Sequence, residues 1–361
     1  MRRLLMLAVL AAALLVPALS YSLTPQEEEL LRKAGVSEEK ITEMKNPAPE
    51  AARYEAVVPP PFDITDWNAD GKKDIIAGTS SGELNVFMNT GTNEAPEFED
   101  AEEVDGGDVD SGTISVPCIV DWNNDGAKDV LMGNRGGTVF AFINRGTNSA
   151  PRFSGGFELM DGDLDVGSYS APAAVDWDAD GNKDLVVGSF DGTLYTYINT
   201  GTDAEPQFKS EPLELHAELV TYSTFNYTTP FIVRNHDNGL FDIITGCGDG
   251  RVYRFRNAGT KGAPRFSSPQ HVMVNDFIYQ LEGNSNVIAT DWDGDGIEDL
   301  LVSNRTTTQT EGTSSTDALS RPSDVSRRPS RVYLLKNVGT NKLPRYDRAV
   351  EILKDKYDIN I

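Results

Sequence analysis

The sequence predicts an all-β protein: a five-bladed β-propeller of four-stranded antiparallel blades, preceded by a short helical segment. Three observations predict it. An acidic nine-residue motif recurs along the chain. A second polar turn recurs in step with it. The residues between them read as short strands parted by turns.

The first motif is DWNADGKKD at Asp66, DWNNDGAKD at Asp121, DWDADGNKD at Asp176 and DWDGDGIED at Asp291; a degenerate copy, RNHDNGLFD, begins at Arg234. The first two steps are 55 residues each, and the steps to and from the degenerate copy are 58 and 57. The second motif, N-x-G-T, begins at Asn89, Asn144, Asn199, Asn257 and Asn337, and a proline and then an aromatic residue follow each one. Two independent markers in one order, five times, define a repeat array. In the third copy APAAV, DLVVG and TLYTY are successive apolar or alternating runs, and a fourth segment follows PQF. Turn residues separate them, as between consecutive antiparallel strands. Four strands make one blade, which covers its two faces only against neighbouring blades. Five markers imply five blades, near 53–110, 111–168, 169–224, 225–283 and 284–361. The alternative is an incomplete larger ring closed by a partner.

Outside the repeats, residues 1–20 read as a signal peptide: Arg2 and Arg3, the apolar run Leu4–Val16, then Ala18 and Ser20 at a small-residue cleavage site. An uncleaved anchor helix is the alternative, and the run is short for it. No later segment is apolar enough to cross a bilayer, so the mature chain is expected to be secreted or periplasmic and not membrane-inserted. Residues 21–45 form the helical segment. Thr24, Pro25 and Glu27 start a first helix, Gly35 ends it, and Ser37 caps a second. It packs on the propeller or docks a partner. Residues 46–52 are a linker to the propeller at 53–361. Residues 305–330 are a Ser/Thr-rich insertion expected to be a mobile loop, and Arg321, Arg327, Arg328 and Arg331 make it a basic patch. It is a solvated insertion or an arm for an anionic surface. Asn226 and Asn304 begin glycosylation sequons. Cys118 and Cys247 fall at non-equivalent points of the repeat and are expected to be buried free thiols, with a disulfide as the alternative.

Acidic residues outnumber basic ones 56 to 32, for a formal charge of −24. Such a surface repels nucleic acid and anionic membranes, so no nucleic-acid partner is expected. The acids of the nine-residue motif stand at calcium-loop spacing. Positions 1, 3, 5 and 9 carry oxygen side chains, position 7 offers a backbone carbonyl, and Gly at position 6 supplies the turn. An EF-hand would need a Glu at position 12, where the first copy has Ala77. Here position 9 is expected to close the cage as a strand begins. Four copies meet the requirement, giving about four structural Ca2+ sites. The expected ligands are Asp66, Asn68, Asp70, Asp74 and the Lys72 carbonyl; Asp121, Asn123, Asp125, Asp129 and the Ala127 carbonyl; Asp176, Asp178, Asp180, Asp184 and the Asn182 carbonyl; and Asp291, Asp293, Asp295, Asp299 and the Ile297 carbonyl. A hydrated Asx turn is the plainer reading, but converging carboxylates repel without a cation. The third and fifth copies carry four carboxylates and are expected to bind more tightly. In the degenerate copy Arg234 is expected to take the ion's place and pair with Asp242. Trp67, Trp122, Trp177 and Trp292 at position 2 are expected to pack between blades, a sugar-stacking role being the alternative.

The D-W-[ND]-x-D-G-x-x-D copies, the strand after each and the N-x-G-T turn resemble the FG-GAP/VCBS repeat family, the propeller type at the head of integrin alpha chains. The resemblance implies calcium loops between the first and second strands of each blade, on one face, with ligands often on the opposite face. Five repeats instead of seven, and the missing fourth loop, depart from the pattern. On the opposite face Arg135, Tyr169, Phe190 and Arg251 would build a binding surface. No nucleophile or zinc motif is present, and the three histidines, His216, His236 and His271, fall in none. The expected function is a noncatalytic binding or adhesion module for an extracellular protein or a polysaccharide. A calcium-dependent carbohydrate-active enzyme, a polysaccharide lyase or glycosidase, is the alternative.

Overall fold

The computed structural model describes residues 62–104, 109–153, 155–162, 164–208, 213–214, 228–261, 264–281, 284–304 and 331–353. The expected signal peptide, helical segment, linker, basic insertion and Asn226 lie outside them. Among the described residues no helix is long and apolar enough to cross a membrane.

The first blade is β1 (Phe62–Thr65), β2 (Asp74–Gly78), β3 (Leu84–Phe87) and β4 (Glu102–Glu103). The second is β5 (Val116–Val120), β6 (Asp129–Gly133), β7 (Val139–Phe142) and β8 (Phe157–Glu158). The third is β9 (Ala171–Val175), β10 (Asp184–Gly188), β11 (Leu194–Tyr197) and β12 (Leu213–Glu214). The fourth is β13 (Thr229–Arg234), β14 (Phe241–Gly246), β15 (Val252–Phe255) and β16 (Gln270–His271). After a short hairpin, β17 (Met273–Val274) and β18 (Phe277–Ile278), the fifth follows as β19 (Ser285–Thr290), β20 (Asp299–Asn304), β21 (Arg331–Asn337) and β22 (Tyr346–Leu353). Each blade is an antiparallel sheet in chain order.

In the second strands DIIAG, DVLMG and DLVVG every residue is buried. A strand covered on both faces reads as a continuous apolar run, which is why these segments do not alternate. The core is divided among the five junctions between blades. One cluster joins Trp67, Ile76 and Val86 of the first blade to Val130, Met132 and Phe142 of the second. Equivalent clusters follow at the next three junctions. The fifth joins Phe62, Ile75 and Phe87 to Ile288, Trp292, Leu301 and Val332, so the last blade packs on the first. The ring closes at five, without a partner to complete it.

The fifth blade is wider than expected. Val274 of β17 pairs in parallel with Tyr346 of β22, which adds the hairpin to the blade's outer edge. Asn275 and Asp276 turn it at φ of 49° and 66°, the two left-handed positions that a tight hairpin requires.

Both cysteines are free thiols; Cys247 is buried as expected, and Cys118 is half-buried. Beside Cys118, Asp63 Oδ1 accepts from Ile64 N at 2.7 Å and Oδ2 accepts from Ile119 N of the second blade at 2.6 Å. Burial pushes the Asp63 carboxyl up to about 6 against these hydrogen bonds, and the Cys118 thiol up to about 12. A carboxyl raised in the fold stabilises below its unfolded value, and that contribution is lost as pH climbs through about 6. Asp63→Asn is therefore expected to gain on the wild type by roughly 2–3 kcal/mol between pH 4 and 7.5. Urea unfolding of both chains at the two pH values checks the sign.

Candidate cation loops

Each nine-residue motif spans the turn from the first to the second strand of its blade. Two backbone positions make the turn. Position 6 is Gly71, Gly126, Gly181 or Gly296, at φ between 85° and 98°. Position 4 is also left-handed: Ala69, Asn124 and Ala179 at 61–64°, and Gly294 at 77°. The sequence reading assigned only position 6. The glycine at position 4 of the fifth loop was the available signal for the other.

The turn points successive N–H groups at the position 1 carboxylate. Asp70 N and Gly71 N each donate to Asp66 at 2.9 Å, and Asp125 N and Gly126 N each donate to Asp121 at 3.0 Å. Gly294 N and Gly296 N do the same to Asp291 at 2.8 and 2.9 Å. The position 5 carboxylates accept from the next N–H but one: Lys72, Ala127, Asn182 and Ile297. These bonds hold the N–H side of the residues whose carbonyls were expected to be ligands.

The loops differ in how far their acids converge. In the third, carboxylate oxygens of Asp176, Asp178 and Asp184 lie within 4.8 Å of one another; in the fifth, those of Asp291, Asp293 and Asp295 do. Asp180 and Asp299 stand outside those groups. In the first two loops no three acids converge so closely among the described residues. There Asn68 and Asn123 hold position 3, and their amides donate to Asp70 and Asp125. The decisive atoms are Asp176 Oδ1 and Asp293 Oδ1, buried and without a hydrogen-bond donor. A buried carboxylate oxygen without a donor is costly, and two more carboxylates nearby add repulsion. Hard oxygen donors with unmet demand fit a divalent cation such as calcium.

Position 9 has a structural duty the sequence reading missed. Asp74, Asp129, Asp184 and Asp299 are at most 1 % exposed. In each, Oδ2 accepts from the N–H of the position 2 tryptophan at 2.8–3.2 Å. Oδ1 accepts from the N–H of Asn89, Asn144, Asn199 or Asn337 at 2.7–2.8 Å. The carboxylate thus ties the acidic loop to the N-x-G-T turn. Burial raises all four carboxyls, Asp184 and Asp299 to about 6. The residue after N-x-G-T adds a clamp: Asn93, Asn148, Asp203 and Asn341 accept from the position 8 N–H. The lysines at position 8 then reach the preceding blade. Lys73 Nζ donates to Trp292 O at 3.2 Å, Lys128 Nζ to Asp66 O at 2.6 Å and Lys183 Nζ to Asn124 Oδ1 at 2.6 Å.

The tryptophans are 1–6 % exposed. Trp67 stacks on Phe153, Trp122 on Phe208 and Trp177 on Phe241, each at 6.3 Å, across blade boundaries. They are core residues and present no face to a sugar.

The degenerate loop corrects one expectation. Arg234 lies over the Phe241 ring at 5.4 Å and donates to Gly239 O at 3.5 Å. Asp242 is paired instead by Arg254, whose Nε and Nη2 donate to Oδ2 at 3.0 and 2.8 Å. Arg254 projects from β15, twelve residues beyond the motif, so the motif alone pointed to the nearer arginine. Asn235, in the tryptophan position, gives its amide to Asp242 Oδ1 at 2.8 Å.

On the opposite rim the β2–β3 type loops meet the segments leading into the next blade. Arg135 Cζ lies 5.8 Å from the Tyr169 ring centroid, and Tyr169 packs on Phe190 at 5.5 Å. Three of the four residues expected there are brought together. Arg251 stands apart, bonded to Asp249 at 3.1 Å, which also accepts from Tyr253 Oη at 2.8 Å. Burial pushes the Tyr253 hydroxyl up to about 12, too high for a general base near neutrality.

Residues 66–132 and 121–187 match the FG-GAP-like repeat. No curated protein matches the sequence. Among solved structures the chain is similar to an Agrocybe aegerita lectin described as recognising non-reducing terminal N-acetylglucosamine, with 17 % identity, 83 % of this chain and 67 % of that chain covered, and a TM-score of 0.40. It is also similar to the Tc holotoxin pore of Photorhabdus luminescens, with 14 % identity, 70 % and 13 % covered, and a TM-score of 0.34.

Proposed function

For a propeller that carries FG-GAP-like repeats, we propose a secreted, calcium-stabilised binding module that performs no chemistry of its own. The first, second, third and fifth loops hold calcium through positions 1, 3, 5 and 9 and the position 7 carbonyl. The observation that carries this is the pair of buried carboxylate oxygens without donors, Asp176 Oδ1 and Asp293 Oδ1, each beside two further carboxylates. Bound calcium would supply the missing partner and offset charge on a protein of −24. It stiffens the scaffold, and the partner binds elsewhere.

The partner surface is the opposite rim, around Arg135, Tyr169 and Phe190. Phe190 is 37 % exposed and Tyr169 half-buried, and a guanidinium over the Tyr169 ring beside Phe190 suits a polysaccharide or an extracellular protein with acidic groups. Removing calcium with EGTA is expected to lower the melting temperature by about 5 °C or more. An unchanged melting curve would remove the calcium reading. A glycan and extracellular-protein screen is expected to yield a ligand whose binding is lost in Arg135→Ala and Phe190→Ala chains that melt normally. Binding that survives both substitutions would place the partner elsewhere.

A further inference from the structure

The residue before each N-x-G-T asparagine stands in register around the ring: Met88, Ile143, Ile198, Arg256 and Lys336. In the first three blades it is half-buried and apolar, and leaves the loop's charge untouched. In the fifth it is a lysine. Its Nζ contacts Asp293 Oδ2 and lies 3.9 Å from Asp295 Oδ2, two of the three acids that converge there. We propose that Lys336 is a tethered counter-ion of the fifth loop, which calcium must displace, so that this loop binds calcium more weakly than the third. The proposal rests on the calcium reading above and sets the fifth loop below the third, its equal by carboxylate count.

The fourth blade displays the end point of such a substitution. Arg256 holds the same register position, with Nε 3.9 Å from Asp242 Oδ2 and a second contact to Asp237. Arg254 completes the pairing. Arginines there stand beside the position 9 carboxylate, and the motif has no acids at positions 1, 3 and 5. The fifth blade keeps every acid and already carries the ammonium. Lys336 meets only one oxygen of Asp293; Oδ1 stays buried without a donor, so the loop keeps an unmet demand for a cation. The side chain is 49 % exposed and can withdraw to water. A divalent ion and an ammonium on the same two carboxylates repel strongly at such distances, so occupancy by one excludes the other.

Calorimetric calcium titration of the full chain, with terbium luminescence sensitised by the position 2 tryptophans, tests this. Lys336→Met is expected to tighten one weak site by about fivefold or more and leave the others unchanged. The gain is expected to vanish when Asp293→Asn is added, which assigns it to the fifth loop. Ile198→Lys, introducing the ammonium beside the third loop, is expected to weaken one tight site by a similar factor in a chain whose melting curve confirms folding. Calcium binding with every affinity unchanged in Lys336→Met would overturn the proposal and leave the calcium reading standing. A wild-type chain that binds no calcium would overturn both.

Discussion

Gly133→Ala is expected to prevent the ring from folding, although alanine is otherwise welcome in a strand end. Gly133 closes β6, where it crosses the chain entering the third blade. A Cβ there would sit 2.0 Å from Ser170 O and 2.8 Å from Pro172 Cδ. The obstacle is backbone, so no side-chain rotation relieves it. The same crossing recurs at Gly78 against Ser115 O, Gly188 against Thr228 O and Gly246 against Ser285 O, all within 2.2 Å. Ser170 Oγ fixes the crossing, accepting from Asn134 N at 2.8 Å and donating to Thr138 O. Parting the blades would break those bonds and the apolar cluster beneath them. We expect a loss above about 4 kcal/mol, or no soluble protein. Gly155→Asn is the control: φ is 63°, nothing lies within 4 Å of its Cβ, and asparagine tolerates that conformation. Circular dichroism and urea unfolding of the two variants decide the matter. A Gly133→Ala chain as stable as the control would mean that the blades are not locked at this crossing.

Asp129→Ala is expected to cost about 4 kcal/mol, and most of that without calcium present. The carboxylate is fully buried and accepts from Trp122 N at 2.9 Å and Asn144 N at 2.8 Å. Truncation leaves both N–H groups without an acceptor in a place water does not reach. Position 9 was also expected to ligate calcium, and the two duties separate in one experiment. Urea unfolding in EGTA reads the hydrogen-bond staple alone. The additional loss in calcium reads ligation. A loss under about 1 kcal/mol in EGTA would assign position 9 to calcium only.

The blade count, the strand order and the inward tryptophans were legible because each repeats a local pattern five or four times. The staple role of position 9 was legible too, and went unread. In the degenerate loop positions 1, 3 and 5 lost their acids while Asp242 kept its place, as expected of a residue held for reasons other than a metal. What the motif could not reveal was its long-range company. Arg254 reaches Asp242 from β15 and Lys336 reaches Asp293 from β21, and only the fold makes them neighbours. The β17–β18 hairpin was missed because it is two residues per strand, too short to show alternation. Its Asn275–Asp276 turn was its sole local sign.

Every blade is drawn from one uninterrupted stretch of chain, and the first and last meet through side chains and the Lys73 bond to Trp292, with no strand shared among the described residues. The seam shares an apolar cluster and a position 8 lysine with other junctions, but Ser303 stands where the second strands of the first four blades end in glycine. Nothing in the sheets records which blade is made first. A chain cut between two blades would still assemble each sheet from its own contiguous sequence. Such a scaffold lets one blade differ, as the fourth does with arginines in place of acids, while its neighbours keep the acidic loop.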